Sequence, residues 1–430
     1  MSHWFHRNPI KATNRIKFDL GTVATTTQAR QILNDVANKR NKLLDMVENP
    51  NNSVELMNQA FEQYISVLWG FIKPVDSESG DSKLRFSLNF RWSQSLSIKG
   101  DLPLELTDAM FEFVNMMINV ALWYTKHAAK VSAKESVNME DAKETHKCLR
   151  TAAGIFTEIK NTYISQLGPT IMNKSKTTDI DDQILEAYIN QCTAEAQEIT
   201  MARAIELEHS PSIIASLAFE TSKMFECAAL ALSGGNEKAV TKWQRYLEFK
   251  CACYRAYAYS YHGEQKLKED KAGEAIAALK EGLKLYQESE VKIKEYSKAP
   301  GPGMTARPQE HLFFRKLGPF LQRTYEKCNR ENGLIYHQKV PDSIPILELK
   351  ATYGLASPES LKLPEINPAW KGAYSGFDVT KLAWKYGSNN EAKVASENKS
   401  KEEGPIPPVK EEPIYQSDKD PTNSSGCIVS

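Results

Sequence analysis

The most specific chemistry in the sequence is written in its last four residues. Cys427-Ile428-Val429-Ser430 has the C-a-a-X form, in which a thiolate is alkylated by an isoprenoid and two aliphatic residues serve the later proteolytic step. A final Ser favours farnesyl over geranylgeranyl. The expected modification is therefore an S-farnesyl group on Cys427, attached by a farnesyltransferase. The preceding stretch, VKEEPIYQSDKDPTNSSG, has mixed charge and supplies no basic cluster. One isoprenoid without such support holds a protein on a membrane only marginally and reversibly, so residence there needs a protein partner too.

Elsewhere the reactive residue types are not arranged for catalysis. No G-x-S-x-G, G-x-x-x-x-G-K, G-x-G-x-x-G or H-E-x-x-H occurs. The eight histidines are scattered. His3 and His6 lie on one side of a turn with no Cys or carboxylate nearby, and read as polar surface residues in preference to metal ligands. Cys251 and Cys253 point in different directions on a helix and read as packing residues. No catalytic residue, metal or cofactor is expected.

Lys+Arg and Asp+Glu both total 54, so no net field draws in nucleic acid or an anionic surface. The seven cysteines lack C-x-x-C spacing, and most sit in apolar helical patterns, the usage of a reducing compartment. The opening MSHWFHRNPIKAT has no signal-peptide core, and the most apolar run, 111–124, is broken by Asn115 and Asn119 and is too short to span a bilayer. The expected location is cytoplasmic, peripheral to a membrane through the lipid.

The stretch that organises the chain is 195–225, where Ser210 and Pro211 write a helix stop and restart. Spacings of three and four in the second segment sort its apolar residues into two stripes, one with Ile214, Ala218 and Phe225, the other with Ile213 and Leu217. A single-core helix needs one stripe, so the second is either buried by another layer or left for a partner. In chain order, an extended lead-in near Arg15 precedes helices from Thr27 and from Ser53. A half-buried strand over 86–92, one half of a hairpin, comes next. Helices follow from Leu104 to Ser132 and from Glu140 to Leu167. After the central hairpin, helices over 237–268 and 272–296 read as a tetratricopeptide-type pair, and another runs over 312–332. The proline-marked stretch 341–368 must lie along the helices, and from about Ser388 the composition is that of a disordered tail.

Taken together, SKLRFSLNFRWSQSL (82–96), EFVNMMINVALWYT (112–125), AAGIF (152–156), EAYINQCTAEAQEIT (186–200), HLFFRKLG (311–318), NGLIYHQKVPD (332–342) and the hairpin resemble the BRO-domain family, typified by Alix. The resemblance covers residues 1–375 and leaves 376–430 as a charged, proline-containing tail. It implies a mainly all-α, boomerang-shaped domain with a tetratricopeptide-like helical hairpin core and a small N-terminal β element. It implies also a non-enzymatic adaptor that takes the C-terminal amphipathic helix of an ESCRT-III subunit, a charged multivesicular body protein of the type-four class, in a hydrophobic groove.

The groove positions of the family fall on Thr200, Ile213 and Leu217. The Alix-like residue at the first is aromatic, so Thr200 removes apolar contact. Tyr336 matches a kinase-docking tyrosine of the family and is a candidate phosphorylation site; its plainer reading is a buried packing residue with its hydroxyl paired. The membranes implied are endosomal or nuclear-envelope. The alternative reading is a scaffold of the same fold for another cargo, such as ubiquitinated proteins, with weak ESCRT-III binding.

Overall fold

A computed structural model describes residues 3–77, 79–134, 137–168, 178–235, 237–307, 312–343, 346–347, 349–351, 354–382 and 404–414. Cys427 and the rest of the C-a-a-X box lie outside the described residues. Of the described residues, 63% are helical and 3% are in strands. Helix α1 (Thr27–Val47) starts where the Thr26 hydroxyl accepts from the Ala29 N–H, and α2 (Val54–Ile72) where Ser53 does the same for Leu56. These caps satisfy donors that the first turn of a helix leaves free.

The β element is shorter than the alternation at 86–92 suggests. Only β1 (Phe90–Trp92) pairs, antiparallel with β2 (Leu104–Leu106). Residues 83–88 turn instead, with Arg85 N–H donating to the Ser82 carbonyl and Ser87 N–H to that of Leu84. The Arg85 guanidinium is clamped by Asp108 at 2.9 and 3.0 Å. That clamp also moves the start of the next helix: Leu104 is a strand residue, and α3 (Ala109–Ser132) begins behind the Asp108 cap. Buried on all sides, α3 meets its one early charge with a partner, Glu112 accepting from Arg40 Nε at 2.7 Å and from Trp92 Nε1 at 2.7 Å.

Helix α4 (Met139–Glu158) opens with a capping box between Asn138 and Asp141 and runs on into a π turn, Ile159–Tyr163. Then come α5 (Asp182–Glu206), α6 (Pro211–Ala231), α7 (Glu237–Lys268), α8 (Ala272–Lys298) and α9 (Leu312–Glu331). Each packs on the next, from α3 against α4 through to α8 against α9. In the α7–α8 pair Ala258, Ala275 and Ala278 are fully buried, the close approach expected of that hairpin.

The proline-marked stretch does lie along the helices. Gly354 and Ala356 bond Gln197 of α5, Ser357 and Glu359 bond Arg150 of α4, and Pro364 and Asn367 bond Trp69 and Ser66 of α2. Where it crosses α4 only glycine fits, because a Cβ on Gly154 would stand 1.8 Å from the Glu359 carbonyl oxygen. The crossing ends at the short α10 (Trp370–Ala373), whose Trp370 is fully buried and donates to the Val67 carbonyl.

The described residues toward either end of the chain pack more deeply than their composition suggests. His3 and His6 are buried and not on the surface: His3 Nδ1 lies 2.7 Å from Glu198, and His6 Nδ1 3.0 Å from the Tyr296 hydroxyl. Among the described residues no cluster suits a metal. At the other end, packed chain continues past residue 375, with Phe377 buried and bridged to Ala24. Within the tail, residues 404–414 lie against the domain, and Ile414 is buried. No described helix is long and apolar enough to cross a membrane.

Candidate functional site

The α5–α6 hairpin holds the groove positions that the resemblance implies. Helix α5 has little amphipathic bias; it is buried on most of its circumference, because α4 and α6 pack on it from two sides. That burial extends to two of its acids, Glu195 and Glu198, which face partners from distant segments. Glu195 is reached by Arg7 Nη1 at 2.7 Å and by the Tyr246 hydroxyl at 3.0 Å, and Glu198 by Lys250 Nζ at 2.7 Å and by His3. Burial pushes the Glu195 carboxyl up and the His3 imidazole down from their ordinary values. The N-terminal segment is thus locked onto the helix that carries Thr200.

The turn between the helices bends at Glu208, whose φ of 54° is left-handed. Pro211 takes the first position of α6 as expected, while the Ser210 side chain makes no capping bond. On α6 the core stripe is as expected, Ile214, Ala218 and Phe225 being buried. The second stripe divides. Ile213 is 48% exposed, whereas Leu217 is only 3% exposed and belongs to the core.

Leu217 is covered by this chain's own extended stretch. Gly354 sits over it with a φ of +73°, and a Cβ there would be 3.6 Å from Leu217 Cδ2 and 3.8 Å from Thr200 Cγ2. Thr200 and Leu217 therefore flank one point, and Thr200 is half-buried. Gln197 fixes the crossing by donating to the Gly354 carbonyl at 2.9 Å and accepting from the Ala356 N–H at 2.6 Å. The next residue, Leu355, is 45% exposed, as is Leu207 at the turn, to 60%. The exposed large apolar residues at this hairpin and on the stretch crossing it are thus Leu207, Ile213 and Leu355, while Leu217 lies buried beneath Gly354. Leu207 and Leu355 escaped the stripe pattern because neither lies in α6.

Tyr336 lies apart from this surface, in a π turn (Asn332–Tyr336) after α9. Its hydroxyl is paired, donating to Asp270 Oδ1 at 2.8 Å, and that bond raises its pKa. The ring is only half-buried, and Leu334 and Ile335 beside it are exposed, so the packing reading holds for the hydroxyl and not for burial.

A BRO1-like domain profile matches residues 16–371. The chain is 44% identical over 430 residues to the BRO1 domain-containing protein BROX of Danio rerio, covering all of both chains. It is 45% identical over 382 residues to that of Homo sapiens, covering 89% of this chain and 92% of the other. Among solved structures, the ALIX BRO1 CHMP4C complex superposes with a TM-score of 0.65 at 19% identity, over 86% of this chain and 99% of that one. At that identity the likeness is one of fold.

Proposed function

Because the chain belongs to the BRO1-like domain family, we propose that it is a non-enzymatic adaptor whose α5–α6 hairpin docks the C-terminal amphipathic helix of an ESCRT-III subunit. The observation that carries this reading is the apolar surface of Leu207, Ile213 and Leu355 over the buried Leu217, in a fold of which the ALIX representative has been solved with CHMP4C. A helix laid in a groove anchors through apolar residues at i, i+3, i+4 and i+7, and a rigid, half-exposed shelf is suited to receive them. Thr200 offers less apolar area than an aromatic residue would, so the shelf leans on Ile213.

Membrane attachment, in this reading, comes from a farnesyl group on Cys427, and the location is cytoplasmic, at endosomal or nuclear-envelope membranes. A single isoprenoid holds weakly, so the lipid and the groove act together. At Tyr336 a phosphoryl group would set a second negative charge against Asp270 and open the turn.

Titration of the full chain with a labelled ESCRT-III tail peptide tests the groove: saturable binding is expected, and its absence would refute the reading. For the lipid, intact-mass measurement should find Cys427 farnesylated, and Cys427→Ser should move the protein from the membrane fraction to the soluble one without altering peptide affinity. An unchanged membrane fraction would make the box idle.

A further inference from the structure

Residues 404–414, GPIPPVKEEPI, hold on to separate parts of the domain. The Gly404 carbonyl accepts from Arg91 Nη2 of β1 at 3.3 Å, and the Pro413 carbonyl from Lys130 Nζ of α3 at 3.1 Å. Glu412 N–H donates to the Glu48 carbonyl at the end of α1, at 3.1 Å. Glu411 receives the Ile10 N–H at 2.8 Å and pairs with the Lys126 ammonium of α3. Ile414 is 2% exposed, joined by the partly buried Val409.

Lys126 makes this more than a loose strap. It is 3% exposed and lies near Arg7. A buried ammonium is costly unless a carboxylate meets it, and the carboxylate that meets it comes from the tail, outside the stretch matched by the family profile. The proline residues restrict the segment to extended backbone before it docks, which lowers the entropy lost on docking.

We propose that the domain carries a peptide seat, with a carboxylate slot formed by Lys126 Nζ and the Ile10 N–H and an apolar slot filled by Ile414, and that residues 404–414 are its ligand in cis. The chemical class it takes is an extended acidic peptide with an isoleucine three residues after the glutamate.

The test is hydrogen exchange on the full chain carrying Cys427→Ser, so that lipid plays no part and the outcome is independent of both the groove and the anchor. The Glu412 and Ile10 amides should exchange at least tenfold more slowly than in the same chain with Glu411→Ala or Ile414→Asp, while amides inside α3 keep their protection in all three. A fluorescent GPIPPVKEEPI peptide should bind the Ile414→Asp chain more tightly than the chain with its own ligand intact. Free-peptide exchange at Glu412 in the chain with the intact segment would overturn the proposal. So would exchange in the two variants identical to that of the chain with the intact segment, or equal peptide binding by both chains.

Discussion

Ile213 and Leu217 stand one helical turn apart on α6, yet water reaches the first and hardly touches the second. A carboxylate at 213 is solvated in the free protein and must be stripped of water by a docked helix. Ile213→Asp should therefore weaken the ESCRT-III tail peptide at least tenfold, with the melting temperature near that of the unaltered chain. Leu217→Asp should instead cost several kcal/mol of stability, because the charge would sit in the core beneath Gly354. Calorimetry on the two variants checks both; equal melting would put Leu217 back on the surface. Helical spacing made the two residues legible as a stripe, and it separated that stripe from Ile214, Ala218 and Phe225. What it could not hold is the identity of the layer above, since Gly354 arrives from a distant part of the chain.

At the scale of elements, the extended stretch 354–370 ties α5, α4 and α2 together, and its crossing of α4 depends on one missing side chain. Gly154→Ala would drive a methyl group into the Glu359 carbonyl. Overpacking of this kind typically costs about 1–3 kcal/mol. Here the strap, not the helix, is the part that gives way. The variant should lose stability on that scale, with residues 357–361 becoming open to proteolysis before any helix does; protection equal to the unaltered chain would show the crossing to be dispensable. That this stretch lies along the helices could be read from its prolines, but its partners could not, because what it offers the Gln197, Arg150 and Trp69 side chains are backbone carbonyls and amides that any sequence carries. The β element failed in a different way. Alternation at 86–92 is real, with Phe90 and Trp92 buried, but the turn held by the Arg85–Asp108 clamp delays the start of the strand to Phe90, and Leu104 falls in its partner.

At the scale of the whole molecule, two segments far from the centre of the sequence, 3–13 and 404–414, pack onto the helices. Residues 3–13 reach α3, α5 and α8, carrying His3, His6, Arg7 and Lys11 into the interior. His3 and His6 read as surface because each is polar; the acid and the hydroxyl that meet them lie on other elements, and pairing at that range leaves no mark in local pattern. A consequence for acid stability follows. Burial holds His6 down at about 3 in the folded protein, against 6.5 when unfolded. Above pH 6.5 neither state carries the proton; below it only the unfolded chain does. Stability from this group is therefore complete above pH 6.5 and declines as pH falls toward 3, by about 1.4 kcal/mol per unit. The unfolding free energy from urea titration should fall between pH 7 and pH 5 by an amount that His6→Gln reduces by about 2 kcal/mol; parallel profiles would rule the group out.

The docked tail also sets a length. Twelve residues lie between Ile414 and Cys427, and covalent geometry limits the span from one to the other to about 45 Å in any conformation. Measured from Leu382 instead, the same cysteine could travel about 150 Å. With Glu411 on Lys126, a lipid on Cys427 can work only inside a sphere centred on the end of the molecule where α1 finishes and α3 passes Lys130. A membrane held through that lipid would meet the domain from a restricted set of directions, so the seat acts as a hinge pin for orientation, and the angle at which the α5–α6 shelf faces the bilayer becomes a property of a glutamate near the end of the chain.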